Sequence, residues 1–226
     1  MHLIRRLLCT TILLGLAGAN ANVFAAPAAP QNGNEYMTLP TVQPTDSGSK
    51  VEVTEFFAYY CPHCNVFEPL LEAWVKKQGN NIVFKRVHVG SDPRVAPQQR
   101  LYYTLEAMNL VGQYHTKAFD AIHKDHLKLQ SDDEVFDWAA KAGINRAAFI
   151  SAYRSFGMPS KLRRADATMA AYKVDHWPMV AIDGKYTTSP SMANKNATAA
   201  MTEEQQQQNA LMVMDFLVAK AKAEKK

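Results

Sequence analysis

A strand-forming run that passes directly into two closely spaced cysteines constrains this chain more than any other feature. Val51-Glu-Val-Thr-Glu-Phe-Phe-Ala58 is rich in β-branched and aromatic residues and ends in near-continuous apolarity, as a strand entering a core does. Tyr59-Tyr60-Cys61-Pro62-His63-Cys64 follows without a spacer. Phe67, Leu70, Leu71, Trp74 and Val75 then recur at i, i+3, i+4, i+7 and i+8, the spacing of one buried helix face. Pro62 suits the first helical turn, where a missing N–H removes no bond. Pro69, inside the periodic stretch, is expected to kink the helix. The cysteines therefore sit where a strand turns into a helix.

A Cys-x-x-Cys at that junction reads as a redox pair. Two intervening residues at a helix N-terminus bring the sulfurs within bonding reach when the backbone takes the right turn. Cys61 would lie where unpaired backbone N–H groups and the positive helix end favour a thiolate. Cys64, one turn further in, would be more buried and would resolve mixed disulfides. His63 adds a cation beside the Cys61 sulfur. Each unit by which a thiolate pKa falls below ambient pH adds ~30 mV of oxidising potential. Pro62 and His63 are thus a tuning dipeptide that points toward an oxidant. Three plainer readings stand beside this one. A permanent structural disulfide gains most by closing a long loop, and this loop is minimal. A zinc site needs four ligands; no second Cys-x-x-Cys is present, so His123 and His126 would have to complete the set. A reduced, inert thiol pair fits poorly with an exported chain.

Export is indicated by the first residues. Arg5 and Arg6 precede an almost wholly apolar run from Leu7 to Ala19, and Ala19-Asn20-Ala21 and Val23-Phe24-Ala25 offer small residues at cleavage spacing. The run is shorter than the ~20 residues a bilayer requires, and later apolar stretches are soon broken by charge. Residues 1–25 are read as a secretory signal peptide, cleaved after Ala21 or Ala25, with the periplasm as destination. Cleavage removes Cys9, the odd one of three cysteines, and leaves 23 basic residues against 21 acidic. Two cysteines exclude a disulfide-dense scaffold. A balance this close to zero, with charges scattered, excludes a nucleic-acid surface. An apolar fraction of 47% with 20% charged residues excludes a disordered chain.

Downstream, Tyr36–Leu39 reads as a short strand and residues 81–89 as a longer one after a helix stop at Gly79. Strand signals then vanish. Amphipathic segments follow at Gln98–Leu110, Gln113–Lys124, Asp132–Ala142, Arg146–Phe156 and Lys161–Lys173, with Ser131 and Glu134 as a capping-box pair and Gly143 as a stop. Pro178–Ile182 is strand-like, and Asp183-Gly184 signals a tight hairpin into Lys185–Thr187. A final helix begins near Thr202 with Leu211, Met214 and Val218 on one face; the Gln205–Gln208 run reads as its solvated face. The chain is α/β, a small sheet interrupted in sequence by a helical unit of roughly 80 residues. The expected divisions are 26–90 and 174–226 for the two parts of the sheet domain and 91–173 for the inserted helices.

Phe56-Phe57-Ala58-Tyr59-Tyr60-Cys61-Pro62-His63-Cys64, followed by Phe67-Glu68, closely resembles the DsbA family of periplasmic thiol oxidases. Tyr36–Leu39, Val87-His88-Val89 and Gly184-Lys185-Tyr186 fall where that family has similar segments. The resemblance implies a thioredoxin-like fold split by an inserted α-helical domain, and a disulfide passed to newly exported, reduced proteins. It implies a DsbB-like inner-membrane partner, linked to quinone, that reoxidises the enzyme. Carried onto this chain, Cys61 is the attacked sulfur, Cys64 its buried partner, and Pro178 the cis-proline facing them, with adjacent backbone that pairs with an extended substrate. Glu55, six residues before Cys61, takes the place of the buried acid beneath the disulfide. Arg86 stands where the family often has lysine, so a Glu55–Arg86 pair is the expected proton-handling site, with titration falling on the carboxylate because arginine stays charged. Trp177 departs from the small or β-branched residue usual before that proline, and either reshapes the peptide groove or packs away from it. No cofactor or metal is implied, and no N-terminal dimerisation module is visible, so a monomer is expected. A reductase or isomerase, a metal-binding module and an adaptor with one dedicated client are the competing functions.

Overall fold

The computed structural model describes residues 29–90 and 92–225. The expected signal segment, with Cys9 and both cleavage points, lies outside the described residues. Five strands form one sheet in the order β1-β5-β4-β2-β3: β1 Met37–Thr38, β2 Val51–Phe57, β3 Ile82–His88, β4 Met179–Ile182 and β5 Tyr186–Thr188. β2 runs parallel to β3 and antiparallel to β4, while β5 is antiparallel to both β4 and β1. Every residue of β2 is buried, including Glu52, Thr54 and Glu55. A central strand covered on both faces buries its polar residues along with its apolar ones, which is why alternation could not place Glu55.

Helix α1 (Pro62–Gln78) follows β2 after one short turn and runs through Pro69 to a stop at Gly79, which takes a positive φ of 52°. It lies on one face of the sheet beside the last helix, α8 (Glu203–Glu224). Phe67, Leu71 and Trp74 from α1 meet Val213, Met214, Leu217 and Ala221 from α8 over Val51, Val53, Val180 and Ile182. Helices α2 (Ala96–Ala107), α3 (Val111–His123), α4 (Asp132–Lys141), α5 (Arg146–Tyr153) and α6 (Met158–Ala171) all fall between β3 and β4 in the chain. Their core, with Leu101, Leu105, Phe119, Phe136, Phe149 and Tyr153, joins Phe56, Phe57 and Tyr59 from the end of β2. Helices α2 and α6 begin earlier than periodicity suggests, because Pro97 and Pro159 each occupy the first turn. Ser131 caps α4 through the Glu134 N–H, but the Glu134 carboxylate returns to the Gln130 N–H instead of closing a capping box.

The β4–β5 hairpin turns at Asp183 and Gly184, both at positive φ. Only glycine fits the second position, since a Cβ there would sit 2.1 Å from the Gln43 carbonyl oxygen. A short helix, α7 (Pro190–Ala193), precedes α8. No helix among the described residues is long and apolar enough to cross a membrane.

Candidate active site

Cys61 occupies the N-cap of α1, with extended backbone angles and Pro62 in the first turn. Its sulfur accepts the Cys64 N–H at 3.3 Å, and its thiol reaches the Trp177 carbonyl at 3.6 Å. Both cysteines are free thiols and both are buried. Their environments pull them apart. The Cys64 thiol hydrogen bond, assisted by the N–H groups of Cys64 and His63 and by the His63 charge, lowers Cys61 from 9.0 to about 7 against the effect of burial. Burial, followed by the neighbouring Cys61 sulfur, pushes Cys64 well above the ordinary thiol range. One thiol is poised to ionise near neutrality and the other to hold its proton.

Beneath the sulfurs, the parallel register sets Glu55 directly opposite Arg86. Arg86 Nε donates to Glu55 Oε2 at 2.9 Å, and Nη2 donates to both Glu68 oxygens at 2.8 and 3.0 Å. Burial drives the Glu55 carboxyl up from 4.5 to about 7 although Arg86 opposes it; its Oε1 is buried without a partner. Burial also acts to raise Glu68, but hydrogen bonding and charge from His115, together with Arg86, hold it below the usual range. The two carboxyl groups around one arginine are thus pushed in opposite directions, Glu55 toward the protonated form and Glu68 toward the anion.

A third layer comes from the helical insertion. His115 on α3 is 4% exposed, with Nε2 3.4 Å from Glu68 Oε2 and Nδ1 2.9 Å from the Tyr59 hydroxyl. Burial pulls this ring's pKa below the ordinary imidazole value, although Glu68 opposes it. His88, pushed down to about 3 by burial, accepts the Tyr59 N–H through Nε2 and donates from Nδ1 to the Val89 carbonyl. His123 donates from Nε2 to the Tyr59 carbonyl at 2.7 Å. Tyr59, two residues before Cys61, is thereby pinned at its N–H, carbonyl and hydroxyl by three histidines. Among the described residues, no group of three or more histidine, cysteine or acidic side chains is arranged to hold a metal.

Above the sulfurs, the Trp177–Pro178 peptide is cis. The half-buried Trp177 ring meets Tyr60 edge to face at 6.2 Å between centroids, and both pack against the margin of the core that joins the cysteines to the insertion. His63 Nδ1 lies 2.6 Å from Glu203 Oε1 at the head of α8.

A family model described as a DSBA-like thioredoxin domain matches residues 52–201. The chain belongs to the DsbA family. Among its relatives, the thiol:disulfide interchange protein DsbA of Burkholderia cepacia is 37% identical over 219 residues, covering 96% of this chain and 98% of its own length. That of Bordetella parapertussis is 35% identical over 192 residues, covering 85% and 91%. The crystal structure of Pseudomonas aeruginosa DsbA matches with a TM-score of 0.74 at 30% identity, over 85% of this chain and 94% of that one. As a DsbA-family member the chain is a protein disulfide oxidoreductase with a thioredoxin-like fold and a helical insertion.

The residues expected from the sequence to form the redox site lie around one point: Cys61, Cys64, Pro62 and His63 at the head of α1, Glu55 and Arg86 below, Trp177 and Pro178 above. Sequence reasoning assigned no role to Glu68, His115 or Glu203. Glu68 carried one usable signal, a carboxylate between the apolar positions Phe67 and Leu71 of a buried helix face. His115 and Glu203 carried none, since each reaches the site from a distant segment.

Proposed function

We propose that this oxidoreductase runs as an oxidase, donating a Cys61–Cys64 disulfide to reduced, newly exported proteins in the periplasm. The contrast between the two sulfurs carries the reading: Cys61 lowered to about 7, Cys64 raised by burial. A substrate thiolate attacks Cys61 Sγ, the Cys61–Cys64 bond breaks, and Cys64 departs with the electron pair and takes up a proton. A second substrate thiolate then attacks the substrate sulfur of the mixed disulfide, and Cys61 leaves as a thiolate. Two substrate thiols are oxidised to a disulfide, and the protein disulfide is reduced to two thiols. A stabilised Cys61 thiolate is the better leaving group in the second step and draws the equilibrium toward the reduced protein.

In this reading Glu55 supplies the proton for Cys64, and Arg86 holds Glu55 in place. Pro62 and His63 set the stability of the Cys61 thiolate. The backbone beside Pro178, with the Trp177 ring as a wall, receives an extended substrate segment. A DsbB-like, quinone-linked membrane enzyme takes the two electrons back, so the chain itself needs no cofactor. The mature protein, cut after Ala21 or Ala25, acts as a monomer divided at residues 91 and 173.

The test is the equilibrium of the Cys61–Cys64 pair against glutathione, together with oxidation of a reduced, unfolded protein by the purified disulfide form. A pair far more oxidising than glutathione is expected. A reducing equilibrium overturns the oxidase reading in favour of a reductase or isomerase. Metal retained by the reduced protein in native mass spectrometry, without oxidase activity, would make it a binding module instead.

A further inference from the structure

The head of α8 reaches the active-site dipeptide from 140 residues away in sequence. It is fixed there without help from the His63 ring. Thr202 and Gln205 close a reciprocal capping box, Thr202 Oγ1 accepting the Gln205 N–H and Gln205 Oε1 accepting the Thr202 N–H. Asn194, just after α7, donates to the Pro190 and Gln206 carbonyls, and Asn209 donates in turn to Asn194 Oδ1. Gln207, within the glutamine run read from sequence as a solvated face, is only 1% exposed. Its Nε2 donates both to the His63 carbonyl, at 3.1 Å, and to Glu203 Oε1, at 3.2 Å. Its own Oε1 is buried without a partner, so the amide is oriented by the bonds its nitrogen makes. Glu203 Oε1 therefore accepts from Gln207 and from His63 Nδ1 at once.

We infer that Glu203, oriented by Gln207, is a positioning residue for the disulfide chemistry: it holds the His63 ring by Nδ1 and keeps it charged beside Cys61. A proton on Nδ1 is spent on the Glu203 carboxylate, so protonation of Nε2 makes the ring an imidazolium facing the head of α1. The groups facing this ring are Glu203 from α8 and Cys61 from the cap of its own helix. The hydrogen bond from Glu203 raises the His63 pKa while partial burial opposes it, and the His63 charge in turn favours the Cys61 thiolate. The carboxylate is itself 42% exposed, so solvent screens its own field at Cys61, while the ring it holds stands in the first turn of α1, two residues from that sulfur. A cation near a sulfur stabilises its thiolate more than a neutral ring does. This inference rests on the reading of Cys61 as the attacked sulfur, and it extends the tuning machinery from the dipeptide to a helix of another segment.

The experiment uses the mature protein with Glu203→Gln, Glu203→Asp and, separately, Gln207→Leu. The His63 ring is titrated by NMR in the reduced form, Cys61 ionisation is followed by thiolate ultraviolet absorbance, and the equilibrium with glutathione is measured at neutral pH. Glu203→Gln is expected to lower the His63 midpoint and raise that of Cys61. It should make the pair less oxidising by about threefold in equilibrium constant, within the range of a partly exposed ion pair, or about 14 mV. Glu203→Asp should restore most of the effect, and Gln207→Leu should shift both midpoints the same way by less. A helix-docking role alone would change unfolding midpoints and leave the His63 titration in place. An unmoved His63 midpoint or an unchanged equilibrium in Glu203→Gln overturns the inference. A wild-type pair that is already reducing defeats the oxidase reading instead, and the two failures are read from different proteins.

Discussion

Replacing Glu55 with glutamine isolates the proton beneath the cysteines, and the structure sets the size of the effect. Glutamine keeps the shape of the side chain and an oxygen for the Arg86 Nε–H, but it carries no titratable proton. In the wild type, burial raises the Glu55 carboxyl from 4.5 to about 7 against the pull of Arg86. That rise corresponds to about 3 kcal/mol of preference for the protonated form in the folded protein. Linkage fixes the sign. The contribution of Glu55 to stability is fully present below pH 4.5, where folded and unfolded chains both hold the proton, and is lost as pH rises through about 7. The variant has no such loss. Urea unfolding of the two reduced proteins is compared across this window, and the difference at the acid end, where Glu55 is neutral, calibrates the cost of the amide itself. Relative to wild type, Glu55→Gln should gain up to about 3 kcal/mol between the acid end and pH just above 7. Over the same range, attack by a thiol on the Cys61–Cys64 disulfide, corrected for the thiolate fraction of the attacking thiol, should slow by about tenfold or more and lose the inflection near 7 set by Glu55, against the ~10²–10⁴ that a positioned general acid supplies. Parallel stability curves with matching rate profiles would refute the assignment of Glu55 as the proton carrier.

Alkylation of reduced Cys61 should titrate with a midpoint of about 7, and Cys64 in a Cys61→Ser protein should stay unreactive to far higher pH; a Cys61 midpoint near 9.0 would remove the basis for its role as leaving group. Because the folded Cys61 pKa is depressed, its stabilisation of the reduced protein is present above pH 9.0 and fades as pH falls through about 7, an effect checked by unfolding the reduced form across that range. Trp177→Ala should raise KM for an unfolded cysteine-containing substrate by about 3–10-fold, the scale of an aromatic contact, while oxidation of a small dithiol keeps its rate. Equal losses with both substrates would place Trp177 in the chemistry rather than in substrate binding. His115→Leu leaves the Tyr59 hydroxyl without its ring partner, removes the imidazole 3.4 Å from Glu68, and should cost about 1–3 kcal/mol in urea unfolding. A loss under about 0.5 kcal/mol would mean that the ring contributes no net bond.

The strand, the cysteine turn and the hairpin were readable because their signals are local: β-branched runs, a proline in a first turn, an Asp-Gly pair. Glu55 and Arg86 came from resemblance, and only the β2–β3 register makes them face each other. Glu68 is a charged residue on a helix like many others. Its burial depends on α3 bringing His115 and β3 bringing Arg86, and no window of sequence contains all three. The glutamine run misled for a related reason. Gln205, Gln207 and Gln208 are alike in sequence, yet one caps a helix, one is buried against His63 and one bonds Glu204 at the surface. What separates them is the 100° step of the helix and the docking of its first turn on α1, a tertiary fact.

The choice of arginine at position 86 narrows the chemistry. A lysine between two buried carboxylates could release its proton and leave several protonation patterns open; a guanidinium cannot, so within the Glu55–Arg86–Glu68 cluster only a carboxyl can carry a proton for Cys64. Glu68 is a poor donor, since both its oxygens accept from Arg86 Nη2 and His115 stands beside it. Glu55 accepts one bond, keeps one oxygen bare, and is raised toward neutrality by burial. The fixed cation and the second carboxylate therefore select which group titrates, while His63 and Glu203 act on the other sulfur from the surface. The two thiols are three residues apart at the head of one helix, yet they answer to different charges, and in the proposed cycle that separation lets one sulfur depart as a thiolate while the other takes a proton.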